Sequence, residues 1–165
     1  MCFLSQEKKL KIYIDTSIIS HLYADDRPDW MEITWRLWDK FVTGEYEIFI
    51  SDVFYDEVDQ CPQPKCGWMY EKLGLIPFQD LEESEEVLDI ADQLRIKGVL
   101  SEKKLNDRLH IAYALFHNCD VILSWNFSDI VKDATRNGVK LVNATSRYKE
   151  IQIVSPEQFI EGGSQ

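Results

Sequence analysis

The stretch Lys11-Ile12-Tyr13-Ile14-Asp15-Thr16-Ser17 decides how this chain is read. Residues 10–14 are apolar, β-branched or aromatic apart from Lys11, which predicts a short strand. The run stops on Asp15-Thr16-Ser17, residue types that favour turns and helix caps. The same grammar recurs downstream. Residues 46–50 read as a second strand, with Ser51 as the cap of a helix running through Val58. Residues 120–124 read as a late strand, preceded by a helix over 106–118. Short apolar runs alternating with longer amphipathic ones imply a parallel sheet layered with helices, a single α/β domain over 1–165.

The remaining punctuation fits that scheme. A helix is expected over 28–43, with Pro28 in its first turn and Gly44 just past its end. Another is expected over 66–73, and residues 75–78 read as a short edge strand because Pro77 cannot donate to a ladder. An acidic helix over 84–97 stops at Gly98. Toward the end, a helix over 128–137, a break at Gly138, a strand over 140–143 and a short helix after Pro156 complete the expectation.

The chain has 165 residues, enough to bury a core without disulfide staples, and at 45% apolar it is too hydrophobic for a disordered chain. No apolar run approaches the ~20 residues of a membrane span. The first eleven residues lack the long apolar segment of a signal peptide, so a cytoplasmic protein is expected. Cys2, Cys61, Cys66 and Cys119 include only one close pair, which is not zinc spacing, and they read as reduced thiols. His110 and His117 are seven apart, roughly 10 Å along a helix axis and too far to share an ion.

With 18 basic against 29 acidic residues, the formal net charge of −11 argues against a protein that simply coats phosphate. Seven of the acids, however, fall within residues 79–92, where there is no base. The acidity is therefore partly one solvated helix face, and a polyanionic substrate is not excluded.

In open α/β sheets, sites form outside the carboxyl ends of the strands. Asp15 lies directly past the first strand, Asp56 and Glu57 lie in the helix after the second, and Asp107 starts the helix before the late strand. Ser124, Asn126 and Asp129 follow that strand. Taken singly, each acid has a structural explanation as an N-cap, an Asx turn or a complement to a helix dipole. Taken together, clustered carboxylates repel unless a cation answers them, and all-oxygen donors suit Mg²⁺ or Mn²⁺.

Four pieces in order resemble the PIN domain, and within it the VapC-type toxin ribonucleases. They are Ile12-Tyr13-Ile14-Asp15-Thr16-Ser17, then Asp56-Glu57-Val58, then Asp107-Arg108-Leu109-His110-Ile111-Ala112-Tyr113-Ala114, then Ile122-Leu123-Ser124-Trp125-Asn126-Phe127. The resemblance runs over about 11–159, with 42, 50 and 19 residues separating Asp15, Glu57, Asp107 and Asn126. It implies a three-layer α/β/α fold with a central parallel sheet, and a metal-dependent ribonuclease that hydrolyses RNA, the toxin of a type II toxin–antitoxin pair. It also implies a cognate antitoxin and a homodimer, for which the aromatic segments 30–41 and 68–70 offer surfaces.

Carried over by position, Asp15, Glu57 and Asp107 match the principal acids, with Asp56 as the alternative to Glu57. Many relatives carry an acid in the last motif, where this chain has Asn126. There Asn126 would orient a water on the metal, and Asp129 would supply the missing charge, giving Asp15, Glu57, Asp107 and Asp129 as metal ligands. Thr16, Ser17, Ser124, Asn126 and Arg108 are the expected substrate contacts, and Lys103 and Lys104 flank the same helix start. Two rivals remain. A haloacid-dehalogenase-like phosphatase wants a second Asp two residues after the first, where this chain has Ser17. A PIN-like module without activity would act through protein partners alone.

Overall fold

Five short strands, all parallel, carry the architecture in a computed structural model that describes residues 8–162. They are β1 (Lys11–Ile14), β2 (Glu47–Ser51), β3 (Gln79–Leu81), β4 (Val121–Leu123) and β5 (Gln152–Val154), in the spatial order β3-β2-β1-β4-β5. The helices are α1 (Thr16–Ser20), α2 (Pro28–Val42), α3 (Asp52–Asp59), α4 (Lys65–Leu73), α5 (Glu85–Ile96), α6 (Leu105–Phe116), α7 (Asp133–Ser146) and α8 (Pro156–Gly162).

Side chains alternate across a strand, so β1 serves both faces of the sheet. Ile12 and Ile14 join Ile48, Ile50 and Leu123 in a core closed by α1, α2, α3 and α4. Tyr13 points the other way, into a core with Phe49, Ile122 and Ile153 that is closed mainly by α5, α6 and α7. Two cores on two faces make the expected three-layer α/β/α domain. The strands read as near-continuous apolar runs for the same reason, since both faces are covered.

β1 pairs with β2 on one side, Ile12 opposite Ile48, and with β4 on the other, Ile12 opposite Val121. Strand order therefore reverses between β1 and β4, which opens a crevice beyond their carboxyl ends.

Two local expectations are corrected. The strand expected over 75–78 lies instead at Gln79–Leu81, beyond Pro77, where every residue has an N–H to offer β2. Of the helix, break and strand expected over 128–143, residues 128–132 are a turn rather than helix, and 133–143 belong to a single helix, α7. Val139 and Val142 are buried while Leu141 is exposed, a helical stripe rather than alternation. Gly138 does not break it: a Cβ there would collide with the Val99 side chain, so the glycine serves close packing. The last strand is β5, which pairs with β4 through Ile153 opposite Ile122.

Cys61, Cys66 and Cys119 are free thiols, and Cys2 lies outside the described residues, as does most of the amino-terminal segment judged not to be a signal peptide. Among the described residues no helix is long and apolar enough to cross a membrane.

Candidate active site

β1 delivers Asp15 to the crevice. The backbone turns there from extended strand into α1, and Asp15 is the N-cap, its Oδ1 accepting from the Ser17 N–H at 3.1 Å and from Ser17 Oγ at 2.5 Å. Ser124, just past β4, donates its hydroxyl to Oδ2 at 2.5 Å. The Ser17 and Ser124 hydroxyls in turn accept the backbone N–H groups of Trp125 and Asn126, at 2.8 and 2.9 Å. These bonds stitch the two strand ends together around one carboxylate. Asp15 is only 4% exposed, and burial pushes its proton affinity up, while His110 and the serine hydroxyls pull it back.

α3 supplies the second acid. Asp56 is exposed, whereas Glu57 turns inward and its Oε1 accepts from Thr16 Oγ1 at 3.0 Å and pairs with His110 Nε2 at 2.5 Å. Burial pushes the Glu57 carboxyl up, but the His110 contact and the Thr16 hydroxyl outweigh it and hold the group below the usual glutamate range. Behind His110, Nδ1 lies 2.6 Å from the Tyr13 hydroxyl, which lies 2.7 Å from Ser51 Oγ. His110, Tyr13 and Ser51 were not among the expected site residues. Asp107 and His110 lie one turn apart on α6, the spacing at which side chains share a helix face.

The first turn of α6 presents Asp107, half-buried and, among the described residues, without a hydrogen-bond or ion-pair partner. Burial raises its proton affinity, His110 lowers it, and the charges of Asp129, Asp15 and Glu57 raise it further, to a pKa of about 6. Asp129 pairs with Lys104 Nζ at 3.0 Å. Burial would raise the Asp129 carboxyl, but Lys104, Ser128 and Asn126 hold it below the ordinary aspartate value. Asn126 Oδ1 accepts from Ser128 Oγ at 2.9 Å and from the Asp129 N–H at 3.1 Å, which fixes the turn that carries Asp129.

Arg108 differs from the other expected contacts. It is 2% exposed, and its guanidinium donates to the backbone carbonyls of Ser101 and Glu102, bracing the loop before α6. Its guanidinium is spent on the backbone, and the other cations at this helix start are Lys103, exposed, and Lys104, half-buried. The hydroxyls of Thr16, Ser17 and Ser124 are likewise committed to Glu57 and Asp15.

Asp107 thus feels the carboxylates of α3 and of the ends of β1 and β4, and among the described residues it has no hydrogen-bond or ion-pair partner. Hard oxygen donors with excess negative charge fit Mg²⁺ or Mn²⁺ in donor type and in charge. They do not stand as a closed cage: among the described residues no three His, Cys, Asp or Glu side chains are placed together as a metal-holding group. A cavity of about 550 Å³ lies elsewhere, lined by Val139, Ile153 and Phe159 among others and by none of these acids.

No protein-family model and no curated protein matches the sequence. Solved structures do match, 19 chains in all. One belongs to the crystal structure of VapBC2 from Rickettsia felis bound to a DNA fragment from their promoter. This chain is 16% identical to it, with a TM-score of 0.51, over 87% of this chain and 98% of that one. At that identity the likeness speaks for the fold alone. The chain has a VapC-like PIN fold.

Proposed function

We propose that this protein is a metal-dependent ribonuclease that hydrolyses RNA phosphodiester bonds, the toxin of a type II toxin–antitoxin pair. The observation that carries the reading is Asp107, a half-buried carboxylate with no partner among the described residues, set against Asp15, Glu57 and Asp129. Asp15, Glu57, Asp107 and Asp129 would hold one or two Mg²⁺ or Mn²⁺ ions. When bound, such an ion supplies Lewis acidity to the scissile phosphate and acidity to the attacking water. Ser17 and Ser124 keep the Asp15 oxygens fixed, and Thr16 and His110 do the same for Glu57. Asn126 holds the turn of Asp129, and Lys103 and Lys104 offer positive charge to the RNA backbone.

The test is cleavage of RNA by purified protein with Mg²⁺ or Mn²⁺, reversed by chelation. Asp107→Asn is expected to lower kcat by at least ~10²-fold with the fold intact, the scale lost when an electrostatic group of the reaction is removed. Wild-type activity in that variant would sink the assignment.

A second reading, a PIN-like module without activity, draws on the Lys104–Asp129 pair, which already neutralises one of the four acids. It predicts no Mn²⁺-induced change at Asp15 or Asp107. The VapBC2 structure, an assembly on DNA, supports extending two partners to this chain: a small antitoxin protein and a second copy of itself. Trp35, Trp68 and Tyr70 are exposed on α2 and α4 and suit such contacts. A monomer at high concentration in light scattering would remove the homodimer.

A further inference from the structure

We infer that His110 is a positioning residue that fixes Glu57 for metal binding, itself fixed by a one-way chain of hydrogen bonds from Ser51 through Tyr13. This rests on the nuclease reading. The chain is buried, with Ser51 and Tyr13 at 0% and His110 at 1% exposure. Its contacts are short: 2.7 Å from Ser51 Oγ to Tyr13 Oη, 2.6 Å from Tyr13 Oη to His110 Nδ1, and 2.5 Å from His110 Nε2 to Glu57 Oε1.

Counting protons gives the chain a direction. An ionised Glu57 only accepts, so Nε2 must carry a hydrogen. In a neutral imidazole Nδ1 is then the acceptor, the Tyr13 hydroxyl donates to it, and the remaining lone pairs of Tyr13 accept from Ser51. Every hydroxyl hydrogen is used once, and none is left facing another. With Thr16 on the same oxygen, Oε1 takes both hydrogen bonds, while Oε2 accepts none from the described residues. Glu57 is therefore held by one oxygen, with the other free to ligate.

A local sacrifice supports the assignment. Ser51 occupies the N-cap position of α3 yet makes no side-chain cap bond, although serine caps typically stabilise a helix by ~1 kcal/mol. Its hydroxyl goes to Tyr13 instead. A helix start gives up its own satisfaction to complete a chain that runs through β1 and α6 and returns to Glu57 on the same helix, by way of His110, one turn from Asp107.

The experiment has two readouts. On metal-free wild-type protein, ¹⁵N spectra of the His110 ring at neutral to mildly alkaline pH are expected to show a protonated Nε2. A bare Nε2 would overturn the inference. His110→Leu, checked for folding by circular dichroism, is expected to lower Mn²⁺ affinity and kcat by ~10–100-fold, the usual loss when the partner of a metal ligand is removed. KM for RNA should stay unchanged, and His110→Gln, which keeps an N–H at the side-chain tip, should recover most of the loss. Wild-type Mn²⁺ affinity in folded His110→Leu, or no recovery in His110→Gln, would overturn it. If His110→Leu does not fold, Tyr13→Phe takes its place: weaker Mn²⁺ binding with Nε2 still protonated supports the chain, and wild-type Mn²⁺ affinity overturns it. Wild-type protein that cuts no RNA would sink the nuclease reading separately, because the state of Nε2 is read without metal or substrate.

Discussion

The two sides of the acidic crevice are built on opposite principles. On the side of β1 and α3, each carboxylate is wired: Asp15 takes three hydrogen bonds from Ser17 and Ser124, and Glu57 takes two from Thr16 and His110. On the side of α6, Asp107 has no partner among the described residues and carries the combined repulsion of the other three acids. The wired side spends its polar groups on holding geometry. The unwired side stores electrostatic stress that a cation would relieve. Arrangement alone separates an acid that contributes to the fold from one that burdens it.

Three measurements would break or sharpen that contrast, beginning with the largest effect. Glu57→Gln removes the charge that His110 and Thr16 hold, and it should destabilise the metal-free protein by about 1.5–3 kcal/mol, the worth of a hydrogen bond to a charged group. Thermal or urea unfolding reads this directly, and an unchanged midpoint would show that Glu57 is not part of the wired side.

Asp107→Asn should act in the opposite direction. It loses no hydrogen bond and removes repulsion. Discounted for the solvent screening of a half-buried group, the gain is roughly 1 kcal/mol, or ~2–4 °C in Tm for a chain of this size. A lower Tm would reveal a partner for Asp107 and end the contrast.

The smallest signal is the titration itself. The Asp107 carboxyl should titrate near pH 6 in ¹³C spectra of metal-free protein. Its folded-state pKa lies above the ordinary value of 3.8, so its cost to stability is fully present above about pH 6 and is relieved as the pH falls through that window. Glu57, held below its ordinary value of 4.5, behaves in reverse, contributing stability above that value that is lost as the pH drops through its folded pKa. An Asp107 titration at the ordinary aspartate value would mean that the acids do not feel one another.

What could be read beforehand was local. β1, β2 and β4 are short apolar runs that end on polar turn-formers, and the carboxyl ends of such strands are where sites form, so Asp15, Asp107 and the pair Asp56 and Glu57 stand out as candidates, the resemblance favouring Glu57. The region 128–155 was not legible, because Leu141 and Val142 imitate a strand, and only the packing of Gly138 on Val99 shows why the helix continues. Arg108 reads as a phosphate contact by its position beside Asp107, and its burial comes from a loop whose path the sequence does not state. His110 escaped for a related reason. Its meaning comes from Tyr13, 97 residues away, and from Glu57, 53 away, and no window of sequence holds all three.

The order of the strands has a consequence for synthesis. β1 is made first but lies at the centre of the sheet, and the serine that clamps Asp15 from the far side of the crevice arrives 109 residues later. A growing chain therefore carries its first acid long before it carries a site. If the finished protein cuts RNA, the nascent one is harmless beside the messenger that encodes it, because nothing short of β4 and the turn to Asp129 can assemble the crevice.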